Sequence, residues 1–151
     1  MEQALRFLSS QKTLAIASRS GPETWIANVY MASNDKGYIY FVSPETAKHS
    51  IMMKTDPHVA FATAWFDEKD HTNRKGIQGL GTCEVTTDLR KITEGIQLIN
   101  AKFPDLKKKI TVQYILENAW KSRMWIIKPS IIKHWDDELY KGETKEFTFS
   151  K

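Results

Sequence analysis

The stretch TLAIASRSGPETWIANVYMA, residues 13–32, decides the fold class. Residues 13–18 form a short apolar run between polar neighbours, and residues 24–32 are rich in the β-branched and aromatic side chains that favour strands. The intervening Ser-Gly-Pro at residues 20–22 is typical of a turn, because glycine tolerates positive φ and proline fixes its own φ. The stretch therefore predicts a β-hairpin.

Further strands extend this hairpin into a sheet. A turn sequence with Gly37 precedes a third strand at residues 38–42, so the first three strands are expected to form an antiparallel meander. In a later strand, Gly79 and Gly81 predict a bulge or the close approach of another backbone. The later strands are predicted at residues 58–65, 77–86, 124–127 and 131–135.

Helices are predicted between the strands. Ser43 and Pro44 are typical of a helix start, and a residue before Pro57 avoids the helical region, which predicts a helix from residue 43 to about residue 54. Residues 138–151 are expected to be a tail or an arm that lies on a partner. Two further helices are predicted at residues 2–10 and within residues 104–120. A third is predicted to begin after Asp88, with one face directed to the core; this face consists of Leu89, Ile92, Ile96 and Ile99. The pattern predicts an α+β, mainly β, domain whose antiparallel sheet curls into a small barrel.

Length and composition narrow the class of protein. A chain of 151 residues is expected to form one domain, residues 1–151. No run approaches the ~20 apolar residues of a membrane span, and the N-terminus does not resemble a signal peptide, so we expect a cytoplasmic protein without a membrane partner. The net charge of +4 favours anionic partners such as phosphates. The single cysteine, Cys83, is expected to be a core residue.

The strongest candidate for chemistry is SPETAKHSIMMKTD, residues 43–56. Ser43, Thr46 and Lys48 surround the predicted helix start, where free N–H groups and the helix dipole attract a phosphate. Alternatively, Ser43 only caps the helix, and Lys48 and His49 are only solvated. The histidine spacing does not match a metal site, and no serine or cysteine stands on a nucleophile elbow.

Aromatic residues crowd the predicted strands, for example Trp25, Tyr30, Tyr38 and Trp65. Their rings are expected either to build the core or to stack on a planar cofactor. An apolar face left by these rings would be covered by a second subunit, which favours a dimer.

The order of these segments resembles the FMN-binding split barrels related to pyridoxamine 5'-phosphate oxidase, over nearly the whole chain. The segments that carry the resemblance are WIANVYMA, YIYFVS, a helix ending in Asp-Pro, HVAFATAW and IQGLGTCEV. Trp25-x-Ala27-Asn28, Lys48-His49, Gln78 with Gly81, and Phe103-Pro104 are similar to a bacterial subfamily of this group. The resemblance implies an antiparallel split β-barrel with helices inserted between strands.

The resemblance also implies a site. Lys48 and His49 would bind the FMN phosphate, with hydroxyl contacts from Ser43 or Thr46. The flavin ring would lie between two subunits of a homodimer. The ring would contact Asn28, Val29 and Tyr30 on the second strand, and Gln78 would lie near its polar edge. The implied function is a flavin-dependent oxidoreductase of unknown substrate. The substrate motif Arg-Leu-His-Asp-Arg of the oxidases is absent, so pyridoxamine phosphate oxidation is not expected.

Two other functions compete with this hypothesis. Similar barrels bind haem without catalysis, and His134 or His58 would then be the axial ligand. The lysines at residues 107–109 and the net charge would suit nucleic acid. We rank nucleic acid last and expect no such partner, because lysines and aromatic residues do not interleave on one strand.

Overall fold

The structure, a computed structural model, describes residues 1–107, 109–117 and 121–149. Within these residues the chain forms eight strands, five α-helices and one short 3-10 helix at Pro104–Leu106. In chain order the elements are α1 (Glu2–Ser10), β1 (Thr13–Ser20), β2 (Glu23–Tyr30), β3 (Ala32–Ser33), β4 (Ile39–Pro44), α2 (Lys48–Thr55), β5 (His58–Phe66), β6 (Arg74–Val85), α3 (Leu89–Lys102), α4 (Val112–Glu117), β7 (Ser122–Asp136), α5 (Asp137–Tyr140) and β8 (Thr144–Thr148). No helix in the described ranges is long and apolar enough to cross a membrane.

All eight strands belong to one antiparallel sheet. Its strand order is β2-β1-β5-β6-β7-β4-β3, and β8 pairs with β7 outside this path. Strands β2 and β3 occupy opposite ends of the order, yet only Met31 separates them in the chain. The sheet must therefore curl until its two ends meet. The chain is an α+β protein with an antiparallel split barrel, which confirms the predicted fold class.

Two apolar clusters hold the barrel together. The first lies inside the curled sheet and is closed by the buried side chains Ala4 and Leu8 of α1. The second lies between α3 and the sheet, where Ile92, Ile96 and Ile99 are buried. The Asp88 side chain caps α3 by accepting a hydrogen bond from the Arg90 N–H. Leu89 is exposed, so its predicted core position is wrong.

The hairpin of β1 and β2 is confirmed, but the meander is wrong. The stretch predicted as one strand at residues 24–32 is divided at Met31, whose side chain is fully buried and whose N–H donates to the Lys12 carbonyl. This anchor turns the chain away from β2 and across the barrel. As a result β4 pairs with β3 and β7, and not with β2.

Strands predicted separately at residues 124–127 and 131–135 are one long strand, β7. The pairing of β6 with β7 shifts register between Leu80 and Gly81, which confirms the predicted bulge. A Cβ atom at Gly81 would lie 2.5 Å from the Lys128 carbonyl oxygen, so the glycine allows this close backbone approach.

Three predictions about chain segments need correction. Helix α2 begins at Lys48 and not at Ser43, because Ser43 and Pro44 pair with β7 as the end of β4; its end before Asp56 is confirmed. The expected tail or partner arm contains α5 and strand β8, which pairs with β7 of the same chain; residues 150 and 151 lie outside the described residues. Within residues 104–120 the single predicted helix is a 3-10 turn followed by α4, and residues 108 and 118–120 lie outside the described residues.

Candidate functional site

Alanines alternate with large residues in two paired strands. In β1 the side chains of Leu14 and Ile16 are buried, and in β5 those of Val59 and Phe61 are buried. Because side chains alternate across a strand, the alanines between them point to the opposite face. Cross-strand pairing places Ala15 beside Ala62 and Ala17 beside Ala60. We call this flat patch of four alanines the alanine floor.

The neighbouring strands give the alanine floor two different borders. Each cross-strand pair of alanines forms a row that continues on the two outer strands. At the ends of the first row, Asn28 on β2 and Gln78 on β6 give a polar border on either side. Ile26 and Leu80 continue the second row and are 68% and 53% exposed, respectively. The floor forms a shallow cavity of about 460 Å³, within the size range of small-molecule sites. A planar ring can lie on this floor with hydrogen-bonding groups at its edge.

The second candidate region is the start of α2. The Lys48 Nζ lies 2.5 Å from a Glu23 carboxylate oxygen and 4.6 Å from the centre of the Trp25 ring. The N-cap residue of α2, Ala47, has no side chain that could accept a hydrogen bond, which leaves N–H groups of the first turn for an anion. Glu23 neutralises the lysine charge, and an incoming phosphate would have to displace this carboxylate.

Ser43 and His49 form a pair behind this helix start. Ser43 is only 4% exposed, and its Oγ lies 2.7 Å from the His49 Nε2. The Ser50 hydroxyl donates to the same oxygen at 3.4 Å. Burial lowers the pKa of His49, so the ring is neutral at pH 7 and contributes no positive charge. Ser43 is therefore committed within the protein, while Thr46 is exposed in the turn before α2.

The two candidate regions lie on opposite faces of the sheet. Helix α2 packs on the face that carries Ser18, where the Ser18 hydroxyl meets the Met52 sulfur at 3.8 Å. Trp25 pairs with Ser18 and shares that face, whereas Gln78 belongs to the row of the alanine floor. The pairing therefore places Lys48 and Gln78 on opposite faces of the sheet.

The predicted residues of β2 also divide between the faces. Asn28 and Tyr30 point to the side of the alanine floor, and Tyr30 also packs edge-on against Phe103 with ring centres 5.2 Å apart. Val29 points inward and packs against the core. The structure thus brings Asn28 to the same row as Gln78, and leaves Val29 with a packing role.

The histidines differ in their access to a ligand. His134 is fully buried, with its Nδ1 3.0 Å from the Tyr140 hydroxyl, and cannot reach a cofactor on the surface. His58 is exposed and its Nδ1 lies 2.8 Å from Asp56. In the described part of the chain, no three His, Cys, Asp or Glu residues are grouped so that they could hold a metal ion.

Sequence reasoning did not identify the alanine floor, although the pattern was readable. The large-small alternation of LAIA at residues 14–17 and VAFATA at residues 59–64 indicates one buried face and one flat outer face. It also missed Lys133, which continues the row of Gln78 on β7. This position could not be found locally, because the pairing of β6 with β7 joins residues far apart in the chain.

No protein-family model and no curated protein matches the chain. Among solved structures, it is similar to a haem-binding protein from Mycobacterium smegmatis, with a TM-score of 0.77 and 15% identity over 97% of this chain. The chain spans 57% of the length of that protein. It is also similar to an FAD-binding protein from Mesorhizobium loti, with a TM-score of 0.67 and 14% identity over 87% of this chain and 91% of that one.

A third similar structure is a protein from Corynebacterium glutamicum assigned to the pyridoxamine 5'-phosphate oxidases. Its TM-score is 0.60, with 18% identity over 99% of this chain and 90% of that one. These likenesses show the fold, and they confirm the resemblance to split barrels related to pyridoxamine 5'-phosphate oxidase.

Proposed function

We propose that the protein binds a flavin, FMN, between two copies of the chain and acts as a flavin-dependent oxidoreductase. The observation that carries this proposal is the alanine floor, a flat, half-buried surface with Asn28 and Gln78 on its polar borders. Flavin- and haem-binding proteins among the structures of the same fold support a planar ligand.

The separation of the two candidate regions supports a homodimer. Lys48 at the start of α2 and Gln78 on the opposite face would both contact one ligand if the α2 end of one copy faced the alanine floor of the other. The exposed Ile26 and Leu80 favour the same arrangement, because a second copy would remove their apolar surface from water.

Each group has a separate task in this proposal. Lys48 and the free N–H groups of α2 would hold the phosphate, after its negative charge displaces Glu23. The Gln78 and Asn28 amides would orient the polar edge of the ring, and the alanine floor would exclude water from its face. When bound, the flavin supplies hydride or electron transfer, while the protein binds and orients it.

Titration of the purified protein with FMN and riboflavin tests the proposal. We expect quenching of the fluorescence of both flavins, one site per chain, and a dimer in sedimentation. Lys48→Gln should weaken FMN binding about tenfold and leave riboflavin binding unchanged, because only FMN carries the phosphate. Lys36→Gln, which removes an exposed lysine from a distant turn, should change neither affinity. A monomer that quenches neither flavin would exclude the proposed function.

Haem is the second candidate, supported by His58. This exposed imidazole lines a cavity of about 550 Å³ that shares Ala17, Ala60 and Leu80 with the alanine floor. The hypothesis predicts a Soret band on haem addition that disappears in His58→Ala and persists in His134→Gln. A Soret band that is independent of His58 would contradict it.

A further inference from the structure

A second cavity, of about 430 Å³, adjoins the alanine floor. The two cavities share Gln78 and Lys133, which are paired across β6 and β7. Trp135 lies two residues further along β7 and therefore points to the same face. We call this second space the Trp135 cavity.

Three aromatic residues line the Trp135 cavity. One of them, Trp65, has the Lys75 ammonium group 5.9 Å from its ring centre. The Trp135 ring lies against Gly76 of β6, so close that a Cβ atom at this position would overlap it. The glycine thereby lets the indole lie close to the sheet as a half-buried platform. Phe66, at the end of β5, is 57% exposed and lines the same cavity. Both rings are available to stack on a planar ligand.

The charges of the Trp135 cavity leave one cation without a partner. The Arg74 Nε donates to an Asp137 carboxylate oxygen at 3.0 Å. Lys75 is paired with Glu138. The Lys133 side chain makes no ion pair in the described ranges, and its cross-strand neighbour on β8 is Glu146. An ammonium group without an ion pair beside these aromatic rings suits a monoanion that carries an aromatic ring.

We infer that the Trp135 cavity binds a small aromatic carboxylate, with its ring against Trp135 and Phe66 and its carboxylate on Lys133. A carboxylate on an ammonium group forms a charge-assisted hydrogen bond. The further step, that this carboxylate is the substrate, rests on the proposed function. Gln78 borders both cavities, so a molecule in the Trp135 cavity would lie beside the edge of the proposed flavin.

Nuclear magnetic resonance titration of the 15N-labelled full chain with benzoate tests the site without any flavin. Wild type should bind benzoate, and its neutral analogue benzamide should bind about tenfold more weakly. Lys133→Gln should weaken benzoate binding about tenfold, and Phe66→Ala should weaken it severalfold. Phe66 and Lys133 are exposed, so neither variant removes a core contact.

Two control variants locate the ligand. Lys36→Gln removes the same charge outside the cavity, and Leu89→Ala shortens an exposed apolar side chain at the start of α3; both should keep the wild-type affinity for benzoate. Absence of benzoate binding, equal binding of benzamide, or an equal loss in Lys36→Gln or Leu89→Ala would overturn the inference. Benzoate binding with these specificities in a protein that binds no flavin would support the site and refute the proposed function alone.

Discussion

His134 is a fully buried imidazole, and we expect its titration to make the stability of the barrel depend on pH. Burial lowers its pKa from the ordinary value of 6.5, although the Asp136 carboxylate acts in the opposite direction. Below pH 6.5 the unfolded chain therefore takes up a proton that the folded protein does not bind. The free energy of unfolding should fall as the pH drops below 6.5, by about 1.4 kcal/mol for each unit of pKa difference.

Urea denaturation of His134→Gln between pH 5 and pH 8 measures this effect. The variant should show a weaker pH dependence than wild type, although not a flat one, because burial also lowers the pKa of His49. Phe7→Leu loosens the packing around the same ring, whose centre lies 5.6 Å from that of Phe7, but keeps the titrating group. This control should lower the stability and preserve the pH dependence; a full pH dependence in His134→Gln would contradict the explanation.

Glu23 is expected to compete with phosphate for Lys48, since their side chains lie 2.5 Å apart. Both are largely exposed, so the pair is weak, and Glu23→Gln should tighten FMN binding only about two- to fivefold. Riboflavin binding should not change. Glu143→Gln alters the net charge equally at an exposed turn and serves as the control in the same fluorescence titration. Equal tightening in both variants would mean that only the net charge matters.

At the scale of elements, the glycines of β6 let it pack closely against its neighbours. Gly81→Ala would bring a Cβ atom against the Lys128 carbonyl and should lower the free energy of unfolding by about 3 kcal/mol, measured by urea denaturation. Gly21→Ala is the matched control: its Cβ atom meets nothing within 4 Å, but φ is +57°. It should lower the stability by about 1–2 kcal/mol. A smaller loss in Gly81→Ala than in Gly21→Ala would contradict the packing argument.

The elements show how far local sequence predicts structure. The Asp88 cap was predictable because its partner, the Arg90 N–H, is two residues away. The prediction that a helix begins at Ser43 is wrong because Ser43 pairs with Arg123 in β7, a contact that no local pattern reveals. The presence of strands could therefore be predicted, whereas the position of β4 beside β7 could not.

For the whole molecule, the fold class and individual candidate site residues could be predicted from the sequence, but the arrangement of these residues in space could not. Asn28 and Gln78 fall in one row only because β1 and β5 lie between β2 and β6. The same pairing places Lys48 on the other face, and for this reason we propose that a second copy completes the site. This proposal depends on long-range strand pairing and cannot be read from the spacing of residues.

The apolar residues beside the alanine floor should hold the two copies together. Ile26→Glu would place a charge in the proposed interface and should give a monomer in sedimentation, with FMN binding lost. Leu89→Glu introduces a glutamate at another exposed apolar residue, at the start of α3 and away from the floor, and should remain a dimer. A dimeric Ile26→Glu variant that binds FMN normally would place the interface elsewhere.

Complementation between Lys48→Glu and Gln78→Leu is the sharpest test of a cofactor site built from two copies. Each variant alone should be dimeric and bind FMN weakly in a fluorescence titration. After the two variants are unfolded and refolded together, FMN binding should recover, because each mixed dimer contains one site with both native side chains. A site within one chain would always keep one defect, so a mixture that binds no more FMN than the separate variants would contradict the account.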